Sequence, residues 1–192
     1  MSAQSPYRLA LRIVNQDAAK LGFNRVVVAL PFYDVTHQEV IELKKRTIEA
    51  LRNLVLEKYK STDGFDLTDL LPSYVGLPED WSVNVNAGSN TVIDKQLPDA
   101  TFIGFYGIVF EDPEPIIDRV IVYRGQDIIV NANVTKIYVD NQYPPIVYFN
   151  APPVYGPNDT MKLELVARSS GTTRMVLLGY LITKSGTVLS SM

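Results

Sequence analysis

Any chemistry in this sequence would have to come from carboxylates. Glu111, Asp112, Glu114 and Asp118 fall close together, and residues 96–118 contain no lysine or arginine. Grouped hard oxygen ligands suit Ca²⁺, and two carboxylates facing one cleft could work as an acid–base pair in a hydrolase. The same run, Glu111-Asp112-Pro113-Glu114-Pro115, also has the composition of a solvated loop between strands, since proline is excluded from central ladders and favours turns. It does not match the spaced ligands of an EF-hand loop. Loop, Ca²⁺ site and carboxylate pair are all compatible with these residues.

Other reactive groups are scarce. There are no cysteines and one histidine, His37. That excludes disulfides, thiolate zinc sites, iron–sulfur clusters, thiol nucleophiles and multi-histidine metal centres. His37 follows Thr36 in Thr36-His37-Gln38-Glu39, a capping box that opens a helix. No phosphate-binding glycine loop, His-Glu-x-x-His run or Gly-x-Ser-x-Gly elbow occurs. The expectation is a protein that is not an enzyme and carries no cofactor.

Two stretches look built for contact. Tyr143 to Pro157 holds Tyr143, Tyr148 and Tyr155 among five prolines. Tyrosine offers amphipathic contact area and proline stiffens loops. This stretch could pack on its own domain, bind a neighbouring subunit, or stack on sugars. Lys44, Lys45 and Arg46 follow one another on a predicted helix. They could be a solvated face or a contact for an acidic neighbour.

The elements that would position these groups fall into two textures. Ser5-Pro6 caps a predicted helix over about 6–21, stopped at Gly22. Residues 26–30 read as a short buried strand. A second helix spans about 37–60, its stripe formed by Val40, Ile41, Ile48, Leu51, Leu54 and Val55, with Glu42 and Arg46 paired at i, i+4. A turn of helix over 67–71 is expected before Pro72. Trp81 would anchor the junction that follows.

From Trp81 onward the hydrophobic period becomes two, with turn signals every eight to twelve residues. Strands are predicted at 82–86, 91–95, 101–110, 119–124, 127–132, 134–140, 146–149, 161–168, 174–182 and 187–190. Gly125-Gln126 fits a two-residue hairpin turn. Gly104, Gly107 and Gly179 inside strands mark bulges or close backbone approaches. The fold class is therefore α+β, mainly β: a helical N-terminal region over 1–80, then an antiparallel, jelly-roll-like β-sandwich over 81–192.

The formal net charge is −3, which does not favour nucleic acid. Residues 1–62 carry ten lysines and arginines against six acids, whereas the remainder carries eight against fifteen. A basic helical part thus precedes an acidic β part, and the two could attract in neighbouring copies. No signal peptide or long apolar span is visible at the sequence level, so neither secretion nor a membrane partner is expected.

A helical N-terminal segment followed by an acidic, cysteine-free sandwich with stiff Pro/Tyr loops resembles the virion structural proteins of double-stranded DNA bacteriophages, of capsid decoration, minor capsid or neck type. The resemblance covers the whole chain and rests on style, without a diagnostic motif. It implies a non-enzymatic assembly protein, made in a host cytoplasm and located in the virion. Its partners would be itself, as a homo-oligomer, and other virion proteins. The alternative is a carbohydrate-binding or adhesin-like sandwich using Tyr148, Tyr155 and Ca²⁺ held at 111–118.

Overall fold

The computed structural model describes residues 25–27, 38–112, 116–135 and 146–187. The first predicted helix, the capping box with His37, Glu114, Tyr143 and most of the 134–140 segment lie outside these.

The described elements are β1 (Arg25–Val27), α1 (Gln38–Tyr59), β2 (Phe65–Asp69), α2 (Pro72–Val75), β3 (Ser82–Val85), β4 (Gly88–Gln96), β5 (Phe102–Phe110), β6 (Ile117–Arg124), β7 (Asp127–Asn133), β8 (Ile146–Tyr148), β9 (Val154–Tyr155), β10 (Thr160–Ala167) and β11 (Gly171–Lys184). They form two sheets. The larger runs β1-β2-β11-β5-β8, with β3 also on β11 and β9 also on β5; the smaller runs β4-β10-β6-β7. All pairings are antiparallel except β1 with β2. The chain is a mainly β sandwich with an N-terminal helix, as its hydrophobic periods predict. The sheets are uneven, and their strand orders carry no jelly-roll assignment.

Two cores follow from the alternation along each strand. Between the sheets lie Ile103, Phe105, Ile108 and Phe110 of β5 together with Val120 and Val122 of β6 and Leu163 and Leu165 of β10. On the other face of the large sheet, Val40, Leu43, Ile48, Leu51 and Val55 of α1 pack on Phe102, Tyr106, Val109, Leu178 and Tyr180. The order is helix, large sheet, small sheet. A helix with one apolar stripe must bury it against another layer. The end of α1 is pinned as Tyr59 donates to Asp99 at 3.1 Å and its ring lies 5.1 Å from that of Phe65.

β5 changes phase partway along. Its register with β11 slips between Leu178, opposite Gly107, and Gly179, opposite Phe105, so that Tyr106 is an extra residue. Such a bulge shifts which residues face each side. Gly179 sits opposite it, where a Cβ would lie 2.3 Å from the Gly104 carbonyl oxygen and 2.6 Å from Phe105 Cα. This is the close approach that glycine in a predicted strand signals.

One predicted element is corrected, and two others lie mostly outside the described residues. Residues 65–69 form a strand, not a helical turn; Leu71 is extended before Pro72, and α2 begins at that proline. A residue before proline is pushed out of the helical region, whereas proline itself suits the first helical position. At 134–140, Val134 and Thr135 are helical and the rest lies outside the description. Thr187 is in a turn, not a strand. Trp81 does tie the junction: its carbonyl accepts from Met175 N at 3.0 Å, and its side chain packs on the inter-sheet core.

Candidate functional site

The three groups of candidate residues have different fates. In the acidic run, each described member is held by a local partner. Glu111 pairs with Arg174 at 2.7 Å. Asp112 accepts from the Thr173 hydroxyl and, at 3.3 Å, from Arg174 N. Asp118 pairs with Arg168 at 3.1 Å and accepts from Thr135 at 2.7 Å. Among the described residues no group of three or more acids or histidines is placed to hold a metal ion. Glu111 and Asp112, just past β5, are tied to the start of β11, and Asp118 ties β6 to the end of β10. These partners are remote in sequence.

The tyrosines divide. Tyr155 has no exposed surface, so it cannot stack on a sugar or a neighbour. It stands on β9 in the large sheet and donates across the core to the Tyr123 carbonyl of the small sheet at 2.7 Å. Its ring is stacked 6.3 Å from Phe105 and lies 5.7 Å from the Arg124 guanidinium. Burial pushes its hydroxyl pKa well above the ordinary value. Tyr148 is half-buried against the helix-facing core.

The basic triplet divides too. Lys44 is buried, with Nζ 5.7 Å from the Tyr106 ring centroid. Burial lowers its pKa, and the charge of Asp69 acts the other way. It belongs to the helix–sheet layer and is not available to a neighbour. Lys45 is half-buried; Arg46 is exposed and meets Glu42 at 3.5 Å, the expected i, i+4 pair.

The residues that the sequence reading passed over lie on the β6–β7 hairpin. Gly125 has φ +59 and opens the two-residue turn between the paired Arg124 and Asp127, as Gly125-Gln126 predicts. β7 is hydrogen-bonded to β6 alone, at the end of the small sheet. The register slips between Val122, opposite Val130, and Tyr123, opposite Ile128, leaving Ile129 as a bulged extra residue. A bulge breaks the alternation that would hide every second side chain. Ile128 is 57% and Ile129 39% exposed, the exposed large hydrophobic residues of the described chain.

Beside them runs a polar row on the outer face of the small sheet. Tyr123 donates to Glu164 at 2.8 Å, Lys162 Nζ lies 2.7 Å from the same carboxylate, and that ammonium stands 4.8 Å from the Tyr123 ring centroid. The Lys162 hydrogen bond, followed by that of Tyr123, lowers the Glu164 pKa. Accepting Tyr123's proton in that bond raises the phenol. The row is closed on itself and flanks Ile128 with a wet rim, the arrangement of apolar centre and polar edge found in protein interfaces.

No family model matches the sequence, and no curated protein matches it. Among solved structures, the chain is similar to the VP2 subviral particle of infectious bursal disease virus, at TM-score 0.32 and 13% identity over 66% of this chain and 35% of that one. It is also similar to the mosquito-larvicidal Cry4Aa toxin of Bacillus thuringiensis, at TM-score 0.28 and 14% identity over 62% and 23%. The chain therefore spans about a third of the capsid protein's length. These are loose likenesses, one of them to a viral capsid protein, and neither carries a functional argument.

Proposed function

We propose that this chain is a non-enzymatic assembly protein of a virus particle, associating with itself and with neighbouring virion proteins. The observation that carries the association is the pair Ile128 and Ile129, exposed on the strand at the end of the small sheet while the other described large apolar side chains are buried or partly buried. Such a patch costs free energy in water and is relieved when another protein covers it. The virion setting rests on the resemblance of the whole sequence to phage structural proteins. The carbohydrate-binding alternative has less to stand on, because Tyr155 is fully buried and the described acids at 111–118 already have partners.

The test is the mass of the native particle by light scattering after size exclusion, over a range of protein and salt concentrations. A defined oligomer is the expected result. Weakening with salt would bring in the basic helical part and the acidic sandwich, since exposed charges are screened within about 10 Å at 0.1 M salt. A mass of 21.5 kDa at every concentration refutes self-association.

A further inference from the structure

A strained backbone persists only where its surroundings hold it, and such places are often switches. Trp81 has φ +61, the left-handed region where a Cβ crowds the following carbonyl. A bulky side chain there is an outlier. Lys60, Ala100 and Asn158 share the sign, but Lys60 closes α1, Ala100 is small, and asparagine visits this region readily.

The ties that hold Trp81 meet where β11 changes partner. β11 pairs with β3 up to Arg174, opposite Ser82, and with β5 from Met175, opposite Phe110. There Met175 N donates to the Trp81 carbonyl at 3.0 Å, and Trp81 N donates to the Pro78 carbonyl at 2.9 Å. Arg174 spans the junction. Its Nε donates to the Asp80 carbonyl at 2.7 Å, and its Nη1 meets Glu111 at 2.7 Å. A planar guanidinium serves two acceptors in a fixed fork, which an ammonium does not. Pro78, Glu79 and Asp80 are exposed, so the segment has room to move, while Trp81 is half-buried against the inter-sheet core.

We propose that residues 78–82 form a strained latch fastened by Arg174. With the guanidinium in place, Trp81 stays left-handed and its indole lies on the core. With the guanidinium drawn away, Trp81 relaxes to an extended backbone, its carbonyl leaves Met175 N, and the indole turns to solvent. An exposed tryptophan is a strong anchor for a partner, so the open latch would present a contact that the closed one hides. The device stands whether or not the chain associates with itself.

The single tryptophan of the chain is the probe. Arg174→Ala and Arg174→Lys are made in the full chain, with circular dichroism confirming the fold. Indole emission, acrylamide quenching and hydrogen exchange of the Met175 amide are compared with wild type. The expected result in both variants is redder emission, stronger quenching and faster Met175 exchange, while the rest of the β5–β11 ladder keeps its protection. Wild-type readings in either folded variant overturn the latch. Trp81→Gly and Trp81→Ala test the strain by a separate route. Both lose the indole, but only glycine is at ease with a positive φ. The glycine variant is expected to unfold at the higher denaturant midpoint. An equal or higher midpoint for alanine overturns the strain and the latch with it.

Discussion

Gly179→Ala puts the bulge between β5 and β11 to the test. The added methyl would lie 2.3 Å from the Gly104 oxygen and 2.6 Å from Phe105 Cα and Cβ. Ordinary contact begins near 3.4 Å, so the overlap is roughly 1 Å and falls mostly on backbone, which cannot swing aside like a side-chain tip. Overpacking a tight site costs about 1–3 kcal/mol, and this site belongs at the upper end. The conversion also stiffens the unfolded chain, which returns about 0.4–1 kcal/mol. The net loss is about 1–2 kcal/mol, equivalent to roughly 2–8 °C in Tm at about 2–4 °C per kcal/mol for a chain of this size. Chemical denaturation at constant m-value measures it. Gly104→Ala is the control: its methyl would meet Thr47 Cγ2 and Val154 Cγ1 at 3.0 Å and Leu51 Cδ1 at 3.1 Å, all side-chain ends that can yield. It should cost less than Gly179→Ala. If Gly179→Ala is within 0.5 kcal/mol of wild type, about the scatter of a neutral change, the two strands do not approach as described.

Tyr155→Phe should lose about 1 kcal/mol, the usual worth of one neutral hydrogen bond, by removing the donor to the Tyr123 carbonyl; an unchanged denaturation midpoint would mean that this link between the sheets contributes nothing. Stability should fall as pH rises above about 10, because burial raises the pKa values of Tyr106, Tyr155 and Tyr180 in the folded state while an unfolded phenol titrates near 10. Lys44 acts oppositely: with its folded pKa lowered, the unfolded state holds the extra proton, and stability rises with pH from that value up to about 10.4. Three phenols outweigh it beyond that point. Phenolate absorbance followed alongside circular dichroism decides the matter; all eleven tyrosines titrating together near pH 10 in the folded protein would contradict the burial.

How much was legible in advance depends on the range of the interaction. Local signals served well. The stripe from Val40 to Val55 marked α1, strict alternation marked β10, Gly125-Gln126 marked the hairpin, and Gly179 marked a close approach. The helix expected at 67–71 failed because a short apolar run has no decisive period, and pairing of β2 with β11 settled it. Sites were harder to read. Lys44-Lys45-Arg46 looked like one basic face, but residues one apart on a helix point in different directions, so Lys44 turned inward and Arg46 outward. Tyr148 and Tyr155 looked equivalent in sequence until β9 placed Tyr155 in the core.

The sequence by itself determined the period of each element and hence the class: an N-terminal helical part and a mainly antiparallel β-sandwich, without thiols or paired histidines; that the helix packs on the large sheet came from the tertiary structure. Those properties depend on neighbours a few residues apart. The tertiary structure alone decided which of the described strands end a sheet. Ile128 and Ile129 read as ordinary strand residues until β7 fell at the edge and its bulge turned them to solvent. The described carboxylates of 111–118 have partners that no local pattern shows, since Arg168, Thr173 and Arg174 lie fifty or more residues on. Edge and partner are products of long-range packing, and no local pattern in the chain encodes them.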